Sequence, residues 1–364
     1  MFGLKKRFLK FWTRWERTFN YTSLIGGFVV DLFLAKSPDN VLDNILLLFY
    51  LSLSAFLIVL INIRSARKPG LRPLLLIFIL QFCFGGLAGN MLILYGKSGT
   101  FGGSLLFFCI LTGFALGNEF LKTRYDQLRF NLAIYYYLLF TYCIISIPTF
   151  VVHQIGAWVF LLSGAVSLGI VALLLWAFHV FVFRKKEPHK TYEVSVLIGV
   201  IFGLYSGLYF LNIVPPVPLS VKSIGVYHSF TPLPAADAQE HLYTATYERP
   251  AWGVFWRDTS ATYTITLGDS AYCYSAVFAP GKLTTPIAHR WEKYNPETNK
   301  WETQALTQFP ISGGREEGYR GWSIEQGLTP GDWRCDVETG RGALIGRIAF
   351  TVVEGTPKLS TTKL

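Results

Sequence analysis

The densest set of side chains able to do chemistry lies in one run, Gly313-Gly-Arg-Glu-Glu-Gly-Tyr-Arg-Gly-Trp322. Arg315 and Arg320 could clamp a carboxylate or phosphate through planar, two-pronged hydrogen bonds. Tyr319 and Trp322 could stack on a sugar face. A second arrangement is favoured over this one: Glu316 and Glu317 pair with the two arginines and stiffen a structural turn. Arg315, Glu316, Glu317, Tyr319, Arg320 and Trp322 are thus candidates for ligand binding, not for catalysis. Neighbouring glutamates usually point apart, whereas glycoside hydrolysis needs two carboxyls roughly 5–9.5 Å apart across the scissile bond. Three glycines within six residues predict a tight, irregular loop here.

The sequence contains no C-x-x-C, H-E-x-x-H, Walker or G-x-S-x-G pattern. No catalytic residue, cofactor or metal ligand is assigned, and the balance leans against an enzyme. Cys83, Cys109 and Cys143 sit in separate apolar stretches and read as small apolar fillers. Cys273 and Cys335 stand apart from them in the C-terminal half, where an even count permits a disulfide. Both alternate as inward-facing positions, so two unbonded core thiols are the favoured alternative. His289, two residues before Trp291, reads as a structural histidine. Trp252, Phe255 and Trp256 form an aromatic cluster that suits either a lipid interface or core packing.

The elements that must carry these residues fall into two compositions. Overall the chain is 51% hydrophobic and 15% charged, with a net charge of +10 and a mean hydropathy of +0.37. Soluble domains carry about 25% charge, so an ordinary cytosolic protein is excluded. Residues 1–218 hold 19 Lys+Arg against 8 Asp+Glu, and residues 219–364 hold 14 against 15. The excess positive charge therefore belongs to the first part alone.

Residues 45–63, 73–96, 98–118, 130–183 and 194–221 lack Lys, Arg, Asp and Glu altogether. A spanning helix needs about 20 apolar residues. The 54-residue stretch accommodates two spans turned at His153–Gln154, and residues 20–35 add another that contains Asp31. Seven transmembrane helices are expected. Seventeen basic residues fall before the first span and in alternate connections, while the other connections hold only Lys36 and Lys97. The positive-inside bias then puts the N-terminus in the cytoplasm and the C-terminal half outside. Because this topology accounts for the basic residues, nucleic acid is not an expected partner.

Four regions are predicted. Residues 1–19, with Phe8, Phe11, Trp12, Trp15 and Phe19 between basic residues, form an interfacial helix on the lipid bilayer. The following stretch contains Asp31 and lacks an A-x-A site, which argues against a cleaved signal peptide. Residues 20–213 form the seven-span bundle and 214–220 a proline-rich linker. Residues 221–364 form an all-β, sandwich-like (immunoglobulin-like) domain of eight strands, at 222–230, 241–248, 261–267, 271–279, 286–294, 300–306, 332–338 and 344–353. Within the bundle, Gly199, Gly203 and Gly207 on the last span, and Gly113 and Gly117 on the fourth, suit close helix packing. A homo-oligomer is the other use of that stripe. Intramembrane polar residues are few: Asp31, Gln81, Asn90, His179, Asn118 and Glu119.

Val277-Phe-Ala-Pro-Gly-Lys-Leu283, His289-Arg-Trp291, the Gly313–Trp322 run, Pro330-Gly-Asp-Trp-Arg-Cys-Asp-Val-Glu-Thr339 and Ile345-Gly-Arg-Ile-Ala-Phe350 resemble a bacterial family. It is known only as a C-terminal domain of unknown function, commonly attached to multi-pass membrane regions. The Pro-Pro-Val-Pro-Leu-Ser exit is similar to that family's junction. Cys335 departs from the pattern, where a Val-like residue is expected, which weakens any claim that a disulfide belongs to the family. The resemblance implies a protein of a Gram-negative inner membrane whose β domain lies in the periplasm. It implies no substrate, cofactor or catalytic residue.

Three functions are expected in descending order. The first is a non-enzymatic envelope protein whose β domain binds a glycan or a periplasmic or membrane protein partner. The second is a membrane-embedded enzyme or transporter for a lipid-linked or small substrate, using Asp31, Asn90 or Glu119. The third, a seven-span receptor, lacks a cytoplasmic output module.

Overall fold

The structure, a computed structural model, describes residues 38–67, 73–98, 101–120, 128–180, 188–232, 243–266 and 269–364. The expected interfacial helix, the first span and Asp31 lie outside the described residues. The chain divides into two compact units after Ile213, the second also taking in residues 97–104 and 153–156.

Among the described residues the first unit holds six α-helices: α1 Val41–Arg67, α2 Leu74–Lys97, α3 Phe101–Phe120, α4 Leu128–Ser146, α5 Ala157–Phe178 and α6 Pro188–Phe210. Their ends follow local chemistry. Asn40 Oδ1 accepts the amide of Leu42 at 3.0 Å and caps α1. Pro188 opens α6, where its missing N–H costs nothing, and Asn212 closes it with φ +57°. A π-helical turn, Ile147–Val152, extends α4 up to His153, whose φ of +57° ends the run.

Among the described residues five helices are long and apolar enough to cross a membrane: Val41–Arg64, Leu75–Lys97, Leu128–Val152, Ala157–Phe178 and Tyr192–Phe210. The expectation of seven is not met among the described residues. α3 contributes only a shorter apolar stretch, Ser104–Gly113, beside a break in helical geometry at Ser104.

Fifteen of the nineteen residues of α4 are buried, so it is the central helix. Phe140 on α4 packs against Phe160 of α5 and Tyr205 of α6, with centroids 5.5 and 4.9 Å away. Gly164 is the glycine this packing demands, because a Cβ there would lie 2.5 Å from the Phe202 ring. The expected packing glycines differ. A Cβ at Gly113, Gly199, Gly203 or Gly207 would meet open space. The physical reason is their face: on α6 the stripe is exposed with Val196, Val200 and Leu204. Gly117 lies in the last turns of α3, where side chains are outside the described residues.

The second unit is all β. Its strands are β1 Ser220–Tyr227, β2 Ser229–Pro232, β3 Tyr243–Glu248, β4 Thr262–Ile265, β5 Ser270–Phe278, β6 Thr284–Asn295, β7 Lys300–Ser312, β8 Tyr319–Gln326, β9 Gly331–Thr339, β10 Leu344–Glu354 and β11 Leu359–Lys363. They form three sheets, ordered β1-β5-β8, β4-β10-β9-β6-β7 and β11-β3-β2. The eight-strand expectation is corrected to eleven among the described residues. The predicted strand 222–230 breaks at His228, and both β8 and β11 read as non-strand in sequence.

The sheet β1-β5-β8 is covered on both sides. One face meets the five-stranded sheet around Val226, Cys273, Trp291, Cys335 and Phe350. The other meets β11-β3-β2 around Tyr227, Ala245 and Tyr274. Residues Cys273–Phe278 of β5 are consequently all buried, as expected for a strand with no solvent face.

Candidate functional site

Side chains alternate across a strand, and β9 shows what the alternation does here. Trp333, Cys335 and Val337 point into the core, while Arg334, Asp336 and Glu338 line the opposite face. Register places partners beside them. Asp336 lies between Arg290 of β6 and Arg347 of β10, and Arg334 lies opposite Glu292.

These residues form a connected ionic face. Arg347 donates from Nε and Nη2 to the two oxygens of Asp336 at 2.6 and 2.5 Å, a bidentate pair. Arg290 Nε donates to both oxygens of Glu338 at 3.1 Å. Arg334 bonds Glu292 and stands 3.8 Å from Asp336. The Arg334 guanidinium also lies 4.3 Å from the centre of the Trp301 ring, close enough for a cation–π contact. Trp301 in turn packs against Tyr294, 5.4 Å away between centroids.

The carboxylates are the sunken members. The Asp336 side chain is 3% exposed against 38% for Arg347. Hydrogen bonding to Asp336 holds the Arg347 guanidinium further toward its charged form, and Glu338 does the same for Arg290. The face therefore presents fixed guanidinium forks over buried anions, with an aromatic edge. Sequence reasoning missed it, although Arg290-x-Glu292 and Arg334-x-Asp336-x-Glu338 carry the period-two charge pattern that could have found it.

On the inward side, Cys273 of β5 and Cys335 of β9 are joined in a disulfide, Cα–Cα 6.5 Å, across the two packed sheets. The favoured expectation of two free core thiols is corrected: register and sheet packing bring the two Cα atoms within bonding range. Beside the bond, His289 is fully buried, its Nε2 2.7 Å from Ser275 Oγ and its Nδ1 3.0 Å from Ser323 Oγ. Trp291 Nε1 donates to the same Ser323 Oγ at 2.9 Å. Burial pulls the His289 imidazole down to about 4, so it is neutral at pH 7.

This cluster has catalytic residue types without catalytic geometry. A serine–histidine pair needs an orienting third group and access for substrate. Here both imidazole nitrogens are taken by hydroxyls and the ring is sealed from water. Cys273, His289 and Cys335 have ligand atoms within 4.8 Å of one another. A thiolate is the metal ligand, and both sulfurs are spent on each other, so the set does not fit a metal in this state.

The six residues of the glycine-rich run are not gathered. Arg315, Glu316 and Glu317 are exposed in a turn closed by the Gly318 amide bonding the Arg315 carbonyl at 3.1 Å. Residues 319–326 then become β8, and alternation separates the rest. Tyr319 packs on the core, while Trp322 lies on the other face against Phe230 and Tyr272. The expected ion pairs of Glu316 and Glu317 with the arginines are absent among the described residues. Arg315 lies instead over the Tyr319 ring at 5.5 Å.

Trp252, Phe255 and Trp256 are 102%, 90% and 77% exposed, which removes core packing for that cluster. In the helical unit, Asn90 Nδ2 donates to the Gly86 carbonyl one turn back at 3.0 Å, and His179 is exposed. The side chains of Asn118 and Glu119 lie outside the described residues.

A family described as a protein of unknown function (DUF2914) matches residues 284–352, from the start of β6 into β10. No curated protein matches the chain. Among solved structures, a β-glucosidase from Listeria innocua is 13% identical with a TM-score of 0.19, over 26% of this chain. The chain spans 15% of the length of that enzyme. An immunoglobulin-like protein from Pseudomonas aeruginosa is 12% identical with a TM-score of 0.19, over 37% of this chain and 92% of its own. A β-D-glucoside glucohydrolase from Trichoderma reesei is 11% identical with a TM-score of 0.20, over 41% of this chain and 22% of its own. Similarities at these scores carry no argument about activity.

Proposed function

We propose that the chain is a non-enzymatic, multi-pass protein of a bacterial inner membrane that presents a periplasmic binding module to a glycan or protein partner. In this reading the N-terminus is cytoplasmic, and the first span and α3 bring the crossings to seven. Five long apolar helices support the anchor. The Cys273–Cys335 bond supports an oxidising compartment for the β unit, as does the segregation of basic residues into alternate connections.

The observation that carries the binding role is the outward face of β10-β9-β6-β7. Its guanidinium groups are held in place by buried carboxylates before any ligand arrives, and Trp301 offers a stacking surface at its edge. Preorganised polar groups beside a half-buried aromatic suit recognition, and the buried His289 is closed to substrate.

In-cell photocrosslinking tests this reading. A photoreactive residue at Thr303, which is exposed on β7 and within 3.4 Å of Arg290 Nη1, should capture a discrete cell-wall glycan or envelope protein. Capture should fall when Trp301→Ala is added. No capture from this face overturns the reading. A reporter active only in the periplasm, fused after Leu364, should be active; an inactive fusion overturns the topology.

A further inference from the structure

We infer that the loop between β3 and β4 is a lipid-interface anchor: Trp252, Phe255 and Trp256 insert into the bilayer that carries the helices. This inference uses residues separate from the ionic face.

The loop has a rigid base and an unpartnered crown. Arg257 donates to the carbonyls of Thr259, Ser260 and Ala349 at 3.3, 3.1 and 2.8 Å. Asp258 accepts from Ser223 Oγ at 2.8 Å, and Thr259 Oγ1 accepts the Val226 amide at 3.2 Å. The Ser260 amide bonds the Glu248 carbonyl at 2.9 Å. The base is thus tied to β1, β3 and β10. Above it, the Val254 amide closes a turn onto the Ala251 carbonyl at 3.1 Å, with Gly253 at φ +89° and Trp252 at the apex. Phe255 and Trp256 stand edge to face, 6.4 Å between centroids.

Three aromatic rings held almost wholly in water on a fixed base are not a fold's way of filling space. Soluble surfaces rarely carry such a patch unless something covers it. Lipid is the occupant the loop fits. Residues 250–256 carry no charge, and the apolar content is Trp and Phe, types that settle at headgroup depth. Exposed Arg249 flanks the crown, placed to meet a lipid phosphate.

Connectivity supplies the second support. Nine residues, Leu211 to Leu219, separate the end of α6 from the start of β1, at most about 30 Å of chain. Ser223, which holds Asp258 at the loop's base, is only three residues into β1, about 10 Å further along an extended strand. The chain from the end of α6 to the loop's base is therefore at most about 40 Å long, so the connection sets an upper limit on how far that base can lie from the helices.

The test uses the full chain in nanodiscs of phosphatidylethanolamine and phosphatidylglycerol. Phe255→p-benzoylphenylalanine is irradiated and the intact mass measured, beside Glu316→p-benzoylphenylalanine in the exposed turn as the reference position. The expected result is a mass increase of one phospholipid at position 255 and none at 316. No lipid adduct at 255, equal adducts at both positions, or an adduct to a second copy of the chain would each overturn the inference. A further variant guards against a local artefact: with p-benzoylphenylalanine kept at 255, Trp252→Ala and Trp256→Ala should reduce lipid adduct formation while the Cys273–Cys335 bond remains intact by mass. Undiminished adduct formation would overturn the role given to the crown.

Discussion

On one face of β9, Trp333, Cys335 and Val337 meet a disulfide, a neutral imidazole and packed rings; one residue away, Arg334, Asp336 and Glu338 meet opposite charges and the Trp301 ring. The two faces share a backbone and differ in what water can reach. Inward polar groups such as Ser275, Ser323 and His289 are neutral and bonded to one another, because an unpaired charge there would cost too much. Outward groups keep their charge because each buried carboxylate has an arginine over it. One strand therefore holds both the covalent centre of the fold and its preorganised surface. A change on either side can be read against the other.

The largest separation should come from the inward bond. Replacing Cys273 and Cys335 together by Ala opens a crosslink spanning 62 residues of sequence, for which chain entropy predicts a loss of about 4 kcal/mol. Hydrogen exchange of β5 and β9 amides in the solubilised full chain should report it. A loss below about 1 kcal/mol would mean packing alone holds that face. On the outward side, Arg347→Ala leaves Asp336 buried without its bidentate partner, with Arg334 3.8 Å away and Arg290, committed to Glu338, on the neighbouring strand. About 3 kcal/mol should be lost by the same measurement. Arg347→Met with Asp336→Leu should recover most of that loss; failure to recover would mean that the ion pair itself, and not the stranded charge, stabilises the sheet.

The alternation of β9 is legible in sequence, since Trp-x-Cys-x-Val against Arg-x-Asp-x-Glu is a plain period of two. So are the apolar helix positions, because hydrocarbon tolerates few charges over about 20 residues. β8 is not legible, and its glycines explain why. Gly318 and Gly321 look like loop residues, yet a Cβ at Gly321 would lie 2.3 Å from the Phe309 ring and one at Gly318 2.9 Å from the Val277 backbone. Close tertiary approach, invisible in one dimension, selected them. The ionic face is half legible: its charges alternate in sequence, but pairing Asp336 with Arg347 and Glu338 with Arg290 requires the sheet order β10-β9-β6. The disulfide is hidden for the same reason, since sequence shows that two thiols point inward and not that they meet.

A pH scan reads the inward face through its histidine. The His289 imidazole titrates near 4 in the fold and near 6.5 in an unfolded chain. Between those values the unfolded chain holds a proton that the native one refuses. Stability is therefore complete above about pH 6.5 and falls as pH drops toward 4, by about 2 kcal/mol at pH 5. Burial also lowers His228, with the same sign, so the informative comparison is His289→Gln with His228 retained. That variant should lose most of the slope between pH 6.5 and 4. An unchanged slope would assign the pH dependence to other groups.

The smallest effect belongs to a place outside both faces. Glu316 and Glu317 are exposed in the turn before β8, and neither makes an ion pair among the described residues. Replacing both with Ala should change stability by less than about 0.5 kcal/mol, the ordinary range for surface sites. It should also leave capture from Thr303 intact. A larger destabilisation would revive the idea that these glutamates stiffen the turn. Loss of capture with unchanged stability would move the recognition surface from the arginines of β6, β9 and β10 to this turn. The six-residue set read first from the sequence would then act together after all, although alternation along β8 sends Tyr319 and Trp322 to opposite sides of the sheet.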